Sequence, residues 1–442
     1  MNLNRHEFLI GAFKAALGAA DPRQILPKGL ADTFDQPLKG RVLVLGAGKA
    51  AASMAQALEV YAQAHWPDAK LDGLVITRYG HRAPTSHIRV VEAGHPVPDA
   101  AGMAAAVETL KLVQSLKPDN HLIALVSGGG SSLLTLPASG LSIEDLRQTT
   151  QALLRSGAPI GDMNVIRKHL SAILGGHLAR EAYQCGAQVD AFLISDVTGD
   201  HPSSIASGPC APDPSTFADA LRILENYDLG EKQIPKAVLD YLRDGILGKR
   251  PETPKEGDAV FSRTRNHLLA SAHVSLEAAA AFCQSHGVLP VSLGDTVMGE
   301  ARDVALMQAS IAREIFLYDR PFKKPVALLS GGECTVTIPQ GVNGRGGRCS
   351  EFLLSLFAHT EDLQTLSALA ADTDGIDGSE QNAGAWFTSE TRQQSEASIQ
   401  LAKTSLSQHD AYGFFANTDT LLQTGPTLTN VNDFRILLID NG

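Results

Sequence analysis

The chain has 442 residues, more than a single hydrophobic core usually holds, so two domains are expected with ample apolar sequence for both. Its 37 Lys and Arg stand against 48 Asp and Glu, a net charge of -11, which argues against nucleic acid or an anionic membrane as a bulk partner and leaves any anion binding to local sites. Five cysteines (Cys185, Cys210, Cys283, Cys334, Cys349) include no C-x-x-C pair, which fits reduced buried thiols in a cytoplasm and not a disulfide framework or a zinc ribbon.

The N-terminal stretch MNLNRHEFLIGAFKAALGAADP reads as an amphipathic helix, because Glu7 and Lys14 interrupt its apolar stripe and rule out a signal-peptide core. No run of about 18 apolar residues follows anywhere, so no membrane span is expected and the localisation read from the sequence is cytoplasmic. Short β-branched runs at 41–45, 73–78, 88–92, 121–126 and 190–195 alternate with stretches of helical period such as 49–64 and 99–116. That alternation is βαβ syntax and predicts an α/β fold with a Rossmann-like, mostly parallel sheet. The interval GKRPETPKEGD (248–258) is the most polar and turn-rich, and it predicts a linker between domains at 1–250 and 259–442. Beyond it HLLASA, VSLEAAAAFCQSHG, VLPVSL, a long helix near 300–317, PVALLSGG, TVTIP and a helix from about Ser350 predict a second α/β domain.

Glycine turns follow several of the buried strands. Gly46-Ala47-Gly48-Lys49-Ala50-Ala51 fits the G-x-G-x-x-A dinucleotide turn in form, but the next strand ends in Thr77 and Arg78 where a ribose-binding acid belongs. Lys49 in the turn instead places a point charge beside backbone amides, which suits a transferring phosphate; the structural alternative is a solvated lysine at a helix start. No G-x-x-x-x-G-K-[ST] motif and no protein-kinase motif set occurs. Ser127-Gly128-Gly129-Gly130-Ser131-Ser132 offers consecutive amides and hydroxyls as an anion nest, or a strand-to-helix crossing that needs small residues. Around Ser127 and Ser330 the G-x-S-x-G elbow is absent, which disfavours a serine hydrolase.

The stretch from Ser195 to Asp200 puts Asp196 and Asp200 just beyond a buried strand, where a carboxylate can take a proton from a hydroxyl or hold Mg²⁺. Asp372, Asp374 and Asp377 form a second acidic turn, suited to a hard cation or to Asx bonding within the turn, but not to an EF-hand. Gly344-Arg345-Gly346-Gly347-Arg348 sets two guanidinium groups on a glycine loop ahead of Glu351, an arrangement able to clamp a carboxylate or phosphoryl group. His95 and His201 sit in turns, and the fourteen histidines show no zinc-ligand spacing.

In order along the chain, GAGKA, EAGHPVPDAAG, VSGGGSSLL, NVIRKHLSAILGG, SDVTGDHPSSIASGP, DPST, LLSGGECTVT, GRGGRCSEFLL, ADTDGIDG and TGPTLTNVND resemble the class II glycerate 2-kinases, whose C-terminal part is the MOFRL domain. The resemblance runs from about residue 5 to about 437. It implies two α/β domains with an active site in an interdomain cleft, and transfer of the γ-phosphoryl of ATP to the 2-hydroxyl of D-glycerate with Mg²⁺. The family's lysine falls on Lys49, its strand-end aspartate on Asp196, and its signature arginine on Arg348 with Glu351 after it. On this reading Gly46, Gly48 and the turn from Ser127 to Ser132 (Ser127, Gly128, Gly129, Gly130, Ser131, Ser132) cradle ATP. His95, Arg345 and Glu351 contact the acceptor, and Asp196, Asp200 or Asp374 holds the metal. Small-molecule substrates are the expected partners, with a homodimer as the oligomer to test. Two positions depart from the family pattern: Cys349 replaces an asparagine and Leu428 a glycine. The rival readings are an NAD(P)H-dependent hydroxypyruvate reductase, a label that relatives carry, and a non-catalytic sensor of small anions.

Overall fold

The computed structural model describes residues 4–441. It divides into two compact units, one of Pro22–Leu269 and one that joins Met1–Asp21 to Ala270–Gly442. The division is not at the polar interval 248–258. That segment is tied into the first unit, where the Asp213 amide donates to the Pro254 carbonyl at 2.9 Å and Glu252 meets His169 at 3.0 Å. The HLLASA run, expected in the second domain, lies mostly in the last strand of the first sheet. A polar, proline-rich composition thus marks a surface strap here and not a hinge.

In the first unit the strands are β1 (Gly40–Ala47), β2 (Ala69–Arg78), β3 (Ile88–Ala93), β4 (His121–Ser127), β5 (Gln188–Ile194) and β6 (Thr264–Ala270). They form one six-stranded sheet in the order β3-β2-β1-β4-β5-β6, and the β3 to β5 pairings are all parallel. The continuous burial of β1 from Val42 to Ala47 and of β4 from Leu122 to Ser127 is what a parallel strand covered on both faces requires. Helices Ala51–His65 and Ala100–Gln114 fall within a few residues of the stretches read from period. A separate helical cluster, built on Leu153, Ile166, Phe217, Leu224, Val238 and Leu242, sits beside the sheet core.

The second unit continues with β7 (Leu289–Ser292), β8 (Gly299–Glu300), β9 (Val326–Gly332), β10 (Cys334–Thr335), β11 (Ser367–Asp372), β12 (Gly384–Phe387), β13 (Leu421–Leu422) and β14 (Asp433–Ile439). Six of these make a mixed sheet in the order β13-β12-β11-β14-β9-β7, parallel only between β7 and β9. Strand β14 alternates its faces at period two: Phe434, Ile436 and Leu438 enter one core and Leu437 and Ile439 the other. The N-terminal helix Arg5–Gly18 buries Phe8, Leu9, Ala12, Phe13 and Ala16 in the first of those cores, which assigns it to the second unit. The TVTIP run yields only the two-residue β10, paired with β8. All five cysteines are free thiols, and Cys349 packs wholly inside a core, so this position presents no polar group to a ligand. Among the described residues no helix is long and apolar enough to cross a membrane.

Candidate active site

The strand order changes direction between β1 and β4, and in an open parallel sheet the crevice beyond that point is where ligands bind. Both glycine turns of the first unit emerge there, and they differ. In the turn after β1 the amides are already committed: Gly48 donates to the Ile76 carbonyl at 3.0 Å, Lys49 to the Gly128 carbonyl at 2.9 Å and Ala50 to Ser127 Oγ at 3.0 Å. A Cβ on Gly46 would lie 2.1 Å from the Leu125 carbonyl oxygen, and one on Gly48 2.1 Å from Ser127 Oγ. These glycines allow two strands and a helix to cross closely. Their amides do not form the phosphate cradle expected for Gly46 and Gly48, and the dinucleotide pattern is matched in letters only.

The turn after β4 is built differently. The amides of Gly128 and Gly129 meet no acceptor among the described residues. Gly129 has a φ of 78°, and a Cβ there would fall 2.8 Å from His95 Nε2 and 3.5 Å from Lys49 Cγ, so the histidine ring and the lysine stem flank it. Ser132 Oγ donates to the Gly129 carbonyl at 3.1 Å, and Ser131 Oγ lies 2.7 Å from Ser207 Oγ. The helix that follows is only Gly130–Leu133, too short for a useful macrodipole, so anion attraction here comes from the turn amides and Lys49.

Asp196 lies two residues beyond the end of β5 in a half-buried position, and Asp200 adopts a left-handed φ of 55° in the same loop. The loop closes with Ala206 (φ 49°), Ser207 (φ 57°) and Gly208 (φ 55°). Two successive non-glycine residues in this region cost about 1–3 kcal/mol each. The conformation presses Ala206 Cβ against Gly130, where an added Cβ would stand 2.5 Å away, and sets Ser207 on Ser131. The strained IASGP segment therefore buttresses the glycine turn, a role for Ala206 and Ser207 that the sequence reading did not assign. No three His, Cys, Asp or Glu side chains converge on a metal-sized site among the described residues.

In the second unit Arg348 begins the helix Arg348–Ala358 and donates to three carboxylates: Nε to Asp433 at 2.7 Å, Nη1 to Glu333 at 2.7 Å and Nη2 to Asp372 at 2.9 Å. Burial works against its charge, but Asp433, Asp372 and Glu333 outweigh it and hold the guanidinium firmly protonated. Behind it Arg435, fully buried in β14, donates to Asp433 at 2.5 Å and to the Gly331 carbonyl at 3.1 Å. The one sequence signal for this network is the charged pair at alternate positions in the otherwise apolar DFRILLI.

The acidic turn spends its carboxylates locally. Asp372 Oδ1 accepts from the Asp374 amide at 3.0 Å, Asp374 Oδ1 from the Ile376 amide at 2.9 Å, and Asp377 from the amides of Cys349 and Ser350 at 3.0 and 2.8 Å. The Asp372 and Asp374 bonds are of the Asx kind within the turn, whereas Asp377 caps the start of the helix Arg348–Ala358. Arg345 is more than half exposed, paired with Glu380 at 3.0 Å and stacked over Tyr412. Glu351 is buried against Arg302 at 2.5 Å and His409 at 3.0 Å, so its carboxylate is engaged inside the unit and not presented to an acceptor.

Comparison with known proteins shows the family of the chain. Residues 8–243 match a family model described as a domain of unknown function, DUF4147, and residues 326–433 match the MOFRL family. A glycerate 2-kinase of Pyrococcus horikoshii is 39% identical over 433 residues, covering 96% of this chain and 95% of that protein. A protein of Agrobacterium vitis with a provisional hydroxypyruvate reductase name is 44% identical over 439 residues, covering 99% of this chain and 95% of its own length. The crystal structure of a Thermotoga maritima glycerate kinase superposes with a TM-score of 0.84 at 34% identity, covering 98% of this chain and 99% of that one. With DUF4147 and MOFRL regions in series and full-length relatives at this level of identity, the chain belongs to the glycerate kinase family.

Proposed function

We propose that the protein transfers the γ-phosphoryl group of ATP to the 2-hydroxyl of D-glycerate, giving 2-phosphoglycerate and ADP. The observation that carries this reading is the pairing of Lys49 with the open amides of Gly128 and Gly129 at the point where the sheet order reverses. Backbone amides and a lysine point charge suit phosphate oxygens, and catalysis of phosphoryl transfer is mostly positioning and charge stabilisation. The same geometry weighs against a nicotinamide-dependent reductase. The turn a dinucleotide would need has its amides occupied, and β2 ends in Thr77 and Arg78 in place of a ribose-binding acid.

In this reading Lys49 and the Ser127–Ser132 turn hold the ATP phosphates, with His95 fixed against Gly129 at their edge. Asp196 orients or deprotonates the acceptor hydroxyl. Three bonds hold the Arg348 guanidinium in one orientation, and the rest of its N–H fork stabilises developing charge. Mg²⁺ carried with the nucleotide fits the oxygen-only donors Asp196 and Asp200, since that ion is normally held by one or two carboxylates together with substrate phosphates. Glu351 and Arg345 act within the second unit, by fixing the loop and helix that carry Arg348.

A ³¹P NMR time course with ATP, Mg²⁺ and D-glycerate tests the proposal. Growth of a 2-phosphoglycerate signal with ADP is expected. Unchanged ATP, with NADH consumed on hydroxypyruvate, would replace the kinase by the reductase.

A further inference from the structure

One pocket of the first unit adjoins the Ser127–Ser132 turn and has further lining residues to which the chemistry above gives no part. Ser131 and Ser132 of the glycine turn form one wall, Leu146, Leu153 and Leu170 form apolar walls, and Arg167 enters from the helix Ile160–His169. The enclosed space is ≈ 30 Å³, room for about two waters or a single carboxylate group, and far too little for a nucleotide.

Arg167 is set apart from its neighbours in the same helix. Lys168 pairs with Asp213 at 2.5 Å and His169 with Glu252 at 3.0 Å. Arg167 makes one bond, Nη1 to Asn164 Oδ1 at 3.3 Å, and no carboxylate forms an ion pair with it among the described residues. Burial alone therefore acts on it and lowers its pKa, with no anion to offset the cost. An uncompensated charge in apolar surroundings is costly unless a partner completes it. Three of the hydroxyls around it are already donating: Ser132 to the Gly129 carbonyl, Thr135 to the Ser132 carbonyl and Thr149 to the Asp145 carbonyl. The guanidinium is thus the charged donor of the pocket, and its planar fork matches one carboxylate in a space with room for little more.

We infer that Arg167 binds the carboxylate of the small hydroxy-acid acceptor, in a pocket that shares Ser131 and Ser132 with the phosphate-binding turn. The inference rests on the kinase reading for its substrate class, and it explains how the acceptor is recognised: by its charge at one end, while its hydroxyl is left for transfer.

The test uses the full chain with Arg167→Met and Arg167→Lys. Titration calorimetry with D-glycerate, its neutral amide and inorganic phosphate reads binding without turnover, and kinetics read the KM values. Wild type is expected to bind D-glycerate and to discriminate against the amide. Arg167→Met should raise the KM for D-glycerate by about 30-fold or more and erase that discrimination, and Arg167→Lys should recover part of it. The KM for ATP should change by less than about twofold, and the melting temperature of the ligand-free Met variant should hold or rise, since a half-buried charge with no ion pair has been removed. Binding of D-glycerate that depends on Arg167, without phosphorylation, would overturn the kinase reading and keep this one. Phosphorylation with an unchanged glycerate KM in a folded Arg167→Met protein would overturn this one and keep the kinase. A wild type that binds inorganic phosphate through Arg167 but not D-glycerate, or that neither binds nor phosphorylates D-glycerate, would also overturn it.

Discussion

The two charged regions of this protein handle charge in opposite ways. At the carboxyl edge of the first sheet, Lys49 stands by amides that meet no acceptor among the described residues, with the IASGP loop strained to support them. At the edge of the second sheet, Arg348 is enclosed by Asp372, Asp433 and Glu333, and the start of its helix is capped by Asp377. The first region keeps backbone amides open among the described residues, and the second surrounds its cation with carboxylates of its own. A mutation in the first should therefore fall on turnover, and one in the second on folding as well.

The sharpest break in that contrast is Lys49→Ala. Steady-state kinetics should show a loss of about 10³-fold or more in kcat, with the melting curve in place. Retention of near-normal turnover would remove Lys49 from the mechanism. Arg348→Ala should instead lower stability by about 1–3 kcal/mol in denaturant unfolding as well as activity, because it takes one cation from the buried Asp372 and Asp433 and leaves Asp433 to Arg435. If the variant melts like wild type, the second region is not the self-neutralised network described here.

A pH series sharpens the comparison further. Desolvation pushes the Asp377 carboxyl up to about 6, opposed by bonds from Ser350 and Cys349 and reinforced by the charge of Asp433. Its folded value thus lies above the ordinary carboxylate value of about 4. The native state binds the extra proton in this window, so the stability Asp377 contributes is full below about pH 4 and is lost as pH rises through 6. Asp377→Asn should flatten that component when melting temperature is followed from acid to neutral pH. Identical slopes would show that this cap carries no pH dependence.

The smallest effect is expected at Leu428, which holds a left-handed φ of 62°, a conformation that glycine adopts without strain. Leu428→Gly removes strain of about 1 kcal/mol but gives the unfolded chain more freedom, so stability should move by less than about 1 kcal/mol in chemical unfolding. A larger change would mean that the leucine side chain does more than tolerate its backbone.

Much of this was legible in the residues. Every strand expected in the first half is present within a few residues, because a strand buried on both faces must be an unbroken apolar run and such runs are conspicuous. The tight Ser127–Ser132 turn after a buried strand was also readable, since that many small residues there mark either an anion nest or a close strand-to-helix crossing. The unit boundary was not. The polar strap at 248–258 looks like a linker, and only its bonds to Asp213 and His169 show that it belongs to the first unit. Nor could the N-terminal helix be assigned, because an apolar stripe states that a helix is buried but not against what.

The sequence alone therefore determined the elements, the glycine turns at the strand ends and the charged groups placed in them, because these depend on local period and on backbone freedom. Tertiary structure decided which of those groups remain available. Ser127 and Gly128 take up the amides of the β1 turn, Glu333, Asp372 and Asp433 enclose Arg348, and no acid approaches Arg167 closely enough to pair with it among the described residues. Hydrogen bonds and ion pairs satisfy groups two at a time, and their partners come from segments far apart in the chain. Whether an amide or a guanidinium can meet a ligand is therefore fixed only when the fold has paired the others.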